Sequence, residues 1–134
     1  MRSAMRIGGL YLAMSIAVIA ATLISLPFFS EAPLGDFEAA RAQLGSGWLA
    51  WEFAYSVPIA LAAGFFAARW APAAALRHTG ALAGVVLVMG VFSVVFSAGR
   101  KPVAHDVALT LVGSCAVLAG GWLYARRRTG AAPS

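Results

Sequence analysis

IGGLYLAMSIAVIAATLISLPFF, residues 7–29, is a run of 23 residues without a formal charge. A helix needs about 20 apolar residues to cross the roughly 30 Å hydrocarbon core of a bilayer, so this stretch is long enough to span it. It is too long for the apolar region of a secretory signal, about 7 to 15 residues, although Arg2 and Arg6 before it would suit one. The expectation is a retained membrane helix.

Three further stretches repeat the pattern. Residues 48–68 contain one charge, Glu52; residues 80–98 contain none; residues 103–124 carry His105 and Asp106 only at their start. Pro33 and Gly35, Pro72, and Gly99 with Pro102 punctuate the gaps between them. The composition agrees: of 134 residues, 61% are hydrophobic and 11% charged, with a mean hydropathy of +0.83. Ten Lys and Arg plus five Asp and Glu cannot coat the core of a water-soluble fold of this size. The fold class predicted is an all-α integral membrane protein, a four-transmembrane-helix antiparallel bundle. It forms a single domain over residues 1–128, followed by a disordered tail at 129–134.

Charge placement sets an orientation. Arg2, Arg6, Arg69, Arg77, Arg126, Arg127 and Arg128 all fall at the ends of spans that share one side if the N-terminus is inside. Cationic short loops stay cytoplasmic, so both termini are expected in the cytoplasm, in a bacterial-type inner membrane. These are charges at membrane edges and not a basic face interleaved with aromatics, which excludes nucleic acid as a partner. Aromatic residues fit the same frame, with Phe28, Phe29, Trp48, Trp51 and Tyr55 at the outer boundary and Tyr11, Trp70, Trp122 and Tyr124 at the inner one. In the long outer loop, Asp36 can cap a short interfacial helix that ends at Gly45 and places Phe37, Ala40 and Leu44 on one face.

Polar residues gather towards the outer side. An ionisable group inside a span costs about 2.5–3.5 kcal/mol at the helix centre and marks a function or a buried pair. Glu52 is the one such group, and it shares a helix face with Tyr55 and Ser56 just before the helix-kinking Pro58. Since lipid offers no hydrogen bonds, polar stripes should turn inward and meet. The candidate site is therefore Glu52, Tyr55, Ser97, Arg100, Lys101, His105 and Asp106. Two readings of this cluster stand: an ion-pair network that pins helices, or a ligand, proton or ion site. Four short spans with an acidic residue opening the second are similar in outline to DoxX-like small membrane proteins. The Gly and Lys that such a protein carries near the end of its first span have no counterpart here.

Close packing has its own signature. Gly80 and Gly84 form a GxxxG, and Ala116 with Gly120 makes a small-residue pair, surfaces that let helices approach within a chain or between chains. Cofactor and catalytic motifs are not found. His78 and His105 lie on opposite sides, so they cannot clamp one haem, although a single axial ligand from His105 stays open. The ligand count for a metal is lacking, and no nucleophile elbow, P-loop or dinucleotide fingerprint occurs. Cys115, the only cysteine, is expected to pack as a small apolar residue in mid-span.

The expected partners are the lipid bilayer and either other membrane subunits or further copies of the chain. Three functions follow: an accessory or assembly subunit of a larger membrane complex; a homo-oligomeric small-solute or ion transporter using the cluster around Glu52; or a membrane enzyme or quinone-linked redox subunit.

Overall fold

The computed structural model describes residues 2–32, 39, 43–96 and 102–129. Within them lie four helices, each long and apolar enough to cross a membrane: α1 (Arg2–Phe29), α2 (Ser46–Trp70), α3 (Ala75–Phe96) and α4 (Val103–Thr129). No strand occurs among the described residues. The helices overrun the apolar windows of the sequence at their charged ends. Arg6 on α1, Arg77 on α3 and Arg126 to Arg128 on α4 are helical and exposed, since long cationic side chains reach water while their stems stay on apolar surface.

Local chemistry sets the helix ends. Ala71 N–H bonds the Ala68 carbonyl at 3.3 Å and closes α2, and Pro72 then opens a single 3₁₀ turn, Pro72–Ala74, that leads directly into α3. At the start of α4 the Pro102 carbonyl accepts the N–H groups of His105 and Asp106 at 2.9 and 3.4 Å. Pro58 sits inside α2 and supplies no N–H to the preceding turn.

Contacts between named residues fix the relative directions. Tyr55 meets Thr22, Trp51 meets Ser25, and Arg6 reaches the Trp70 carbonyl, so α1 and α2 run antiparallel. Thr79 packs on Gly121 and Gly90 on Thr110, so α3 and α4 are antiparallel as well. Glu52 pairs with His105 and Gly64 lies against Val117, which makes α2 and α4 parallel neighbours. These two share the most extensive interface in the bundle.

That interface is close because it is built on glycine. A Cβ added at Gly64 would land on the Val117 carbonyl oxygen, and one at Gly120 on the Leu61 carbonyl oxygen. Around the seam the core is small and tight: Ala60, Ala63, Ala67, Ala83, Ala116 and Val117, with Leu10 and Leu82. Lipid gives helices no hydrophobic reason to associate, so dispersion contacts at short backbone separation must hold them, and small residues permit that approach. The outward faces are the reverse. Leu12, Ile16, Ile19 and Leu23 on α1, with Val88, Val91, Phe92 and Val95 on α3, are exposed large hydrophobics, a surface suited to an apolar solvent.

Three details differ from the sequence reading. Gly80 and Gly84 are exposed and a Cβ at either would meet nothing within 4 Å, so no described residue packs closely on the GxxxG of α3. Cys115 is exposed on α4, because Ala116 and Val117 take the two inward positions beside it. Trp48 is only 3% exposed: it packs with Leu26, Leu44 and Leu49 and meets Phe29 edge-on at 5.5 Å, so it joins the α1 and α2 ends and is no headgroup anchor. The interfacial helix expected from Asp36, with Phe37 and Ala40, lies outside the described residues. So do Ser97, Arg100 and Lys101, and the tail from residue 130 onward.

Candidate functional site

Glu52 is the seventh residue of α2, about 9 Å along the axis from the helix start. Its face turns into the bundle, and there Oε2 and His105 Nε2 share a 2.9 Å hydrogen bond. The two side chains are 10% and 7% exposed. His105 reaches Glu52 because it stands in the first turn of α4, beside the N-terminal part of the parallel α2. Phe53 then places its ring edge-on to the imidazole at 5.1 Å, which limits rotation of His105. The bond joins a carboxyl group to a ring nitrogen, and which of the two carries its hydrogen depends on the histidine tautomer.

A second layer fixes α2 against α1. Thr22 commits its hydroxyl hydrogen to the Val18 carbonyl at 2.9 Å, so Tyr55 donates the 2.9 Å bond between their oxygens. Trp51 Nε1 donates to Ser25 Oγ at 2.8 Å. The polar residues at the end of α1 therefore serve to hold the aromatic residues that flank Glu52.

Below the pair lies a crevice of about 430 Å³. Met14 and Val18 on α1 face Val86 and Met89 on α3, with Ala60 of α2 and Leu109 of α4 as the floor. Its lining residues Ile19, Met89 and Ser93 are exposed, so it opens sideways, between α1 and α3. The polar lining is sparse. Ser15 and Thr110 donate to the carbonyls of Tyr11 and Asp106 in their own helices at 3.0 and 2.8 Å. Ser56 lines the crevice, is 9% exposed, and its Oγ has no hydrogen-bond partner among the described residues. Asp106 lines it too, half-buried, and its carboxyl group makes no hydrogen bond or ion pair with any described residue.

Of the seven residues expected at the site, the structure brings Glu52 and His105 into direct contact. Tyr55 lies on the α1 side of α2 and bonds Thr22, while Asp106 lines the crevice. The sequence reading missed Ser56 as a site residue, although its position four residues after Glu52 puts it on the same face. It missed the crevice altogether, since a gap between α1 and α3 leaves no trace in either sequence. Among the described residues no three His, Cys, Asp or Glu side chains converge as metal ligands.

The opposite end of the bundle is cationic. Arg6 donates to the Trp70 carbonyl at 3.4 Å and Arg128 to the Pro72 carbonyl at 3.1 Å, so the α1 start and the α4 end both clasp the α2–α3 turn. Arg126 lies 5.2 Å from the Trp122 ring centroid and Arg127 5.8 Å from that of Phe65.

No family model, no curated protein and no solved structure matches the chain. The outline likeness to DoxX-like proteins accordingly carries no argument about the site.

Proposed function

We propose that the protein is a small-solute carrier of a bacterial-type inner membrane, working as a homo-oligomer, in which the Glu52–His105 pair is the proton-binding element. The observation that carries this reading is the 2.9 Å bond between two ionisable side chains buried inside a bundle of membrane-length helices. A buried ion pair is a poor stabiliser, because desolvation offsets most of its attraction and apolar residues of similar volume do as well or better. Glu and His together supply what apolar residues cannot, an exchangeable proton on one bond, and Ser56 and Asp106, which line the crevice, stand one turn along α2 from Glu52 and next to His105 on α4. Four helices enclose little space, so a pathway needs neighbouring copies.

The cationic end, with Arg6, Arg69, Arg77 and Arg126 to Arg128, belongs in the cytoplasm, which puts both termini there and the Glu52–His105 pair in the outer half of the membrane. The stretch from Asp36 to Gly45 would then lie on the outer surface as an interfacial helix.

The test is a flux assay. Proteoliposomes with an entrapped pH dye and an imposed proton gradient are challenged with a panel of small organic solutes. At least one solute dissipates the gradient with the wild-type protein, and Glu52→Gln abolishes the response. A panel without effect, or a response unchanged by Glu52→Gln, refutes the reading.

One observation favours a second reading, an accessory or assembly subunit. Gly80 and Gly84 leave α3 open to close approach, and no described residue fills the space. A partner helix of a larger complex would occupy it, and a membrane protein co-purifying in mild detergent would be the evidence.

A further inference from the structure

The crevice between α1 and α3 combines four features that together select a class of ligand. Its walls are apolar, it opens sideways towards the surface that faces lipid, and about 430 Å³ is at the small end of the range for small-molecule sites, about 300–1,000 Å³. Asp106 brings a carboxyl group that no described residue neutralises. Ser15 and Thr110 have spent their hydrogens on helix carbonyls, so towards the crevice they present lone pairs only. Ser56 Oγ is a buried polar atom with no hydrogen-bond partner among the described residues.

We propose that this crevice binds a single-chain lipophilic amine in its protonated form, with the ammonium group on Asp106 and Ser56 and the alkyl chain between α1 and α3. A carboxylate in an apolar crevice calls for a cation, and acceptor-only hydroxyls call for a donor. An ammonium head supplies both. A quinone carbonyl could accept from Ser56 but offers nothing to Asp106, Ser15 or Thr110, and an alkanoate repels Asp106, so neither complements the set. The position of Asp106 in the first turn of α4 sets the head near the end of the bundle and the tail towards its middle, the direction in which an amphiphile already lies in a bilayer leaflet. The volume accommodates one short chain and not the two acyl chains of a phospholipid, so the source is a free amine. The inference rests on the carrier reading only in naming what is carried; binding stands independently of proton coupling.

The test is photolabelling of the full-length protein in phosphatidylcholine nanodiscs with a diazirine-bearing decylamine, mapped by mass spectrometry of the labelled peptides. Label is expected on residues 11–19 of α1 and 86–93 of α3. It should fall at least about tenfold with Asp106→Asn, tenfold being about 1.4 kcal/mol, and by as much with Ser93→Trp, which obstructs the exposed side of the crevice. The diazirine alkanoate of equal length should not label these segments above the lipid-facing background. Equal labelling by amine and alkanoate overturns the proposal, as does labelling unchanged in both variants. Phosphatidylethanolamine in the nanodisc should leave the amine label in place; if it abolishes the label, the site takes a lipid headgroup and the free-amine assignment fails. Specific labelling by the amine, with no solute of the panel moving protons in the flux assay, sinks the carrier reading alone. Proton movement driven by other solutes, without amine labelling, sinks the ligand assignment alone.

Discussion

Gly64→Ala tests the α2–α4 seam, the contact on which the position of Glu52 relative to His105 depends. The added Cβ falls on the Val117 carbonyl oxygen, with the carbonyl carbon and Cα of Val117 behind it. All three are backbone atoms, so no side chain can rotate aside and the helices must separate. Overpacking of this kind costs about 1–3 kcal/mol, and separation also loosens dispersion contacts along the seam. Gly84→Ala is the internal comparison, because its new Cβ meets nothing within 4 Å. There the intrinsic preference of a helix for Ala over Gly, up to about 1 kcal/mol, is the only effect. That preference acts on both variants, so they should differ by about 1–3 kcal/mol, the overpacking cost, with Gly64→Ala the less stable. Unfolding by dodecyl sulfate in mixed micelles, followed by circular dichroism and tryptophan fluorescence, measures the difference. Equal stability of the two variants, or a larger loss for Gly84→Ala, would refute the seam and return the packing role to the GxxxG motif of α3.

Three more outcomes follow in the same assay. Glu52→Leu should cost about 3–5 kcal/mol by leaving the buried His105 side chain without its carboxyl partner. Tyr55→Phe should cost about 0.5–1.5 kcal/mol, since Thr22 keeps its bond to Val18 and only the inter-helix bond is lost. Ser56→Ala should leave stability unchanged or raise it by up to about 1–3 kcal/mol, because it removes a buried hydroxyl that has no partner among the described residues, while weakening amine photolabelling.

The four helices were legible because lipid imposes a length and an absence of charge that a sequence displays directly, as in residues 7–29. The candidate site was legible in part for a related reason: Glu52 stands out in a span where every polar atom needs a partner. Its contact with His105 was not, since which faces of α2 and α4 meet is decided by where their backbones approach. Gly64, Gly120 and Gly121 decide that approach, and nothing in their spacing separates them from Gly80 and Gly84, which match the familiar motif and face outward. Trp48 shows the same limit. A tryptophan at the end of a span resembles a headgroup anchor, and only the neighbouring Phe29 and Leu26, brought there by the antiparallel α1, make it a packing residue. Ser56 shows it from the opposite side, as a residue that could have satisfied itself on the preceding turn and instead lines the crevice without a partner among the described residues.

The account turns on the Glu52–His105 bond, and nitrogen NMR of the histidine side chains in reconstituted bilayers reads it directly. The chain has 2 histidines, and His78 serves as the built-in reference, held on α3 by its own Ala74 carbonyl at 3.2 Å, near the cationic end. The bond predicts that Glu52→Gln shifts the His105 Nε2 resonance while His78 stays unchanged. A His105 signal that is indifferent to Glu52→Gln would contradict the pair, and with it the proposed proton site.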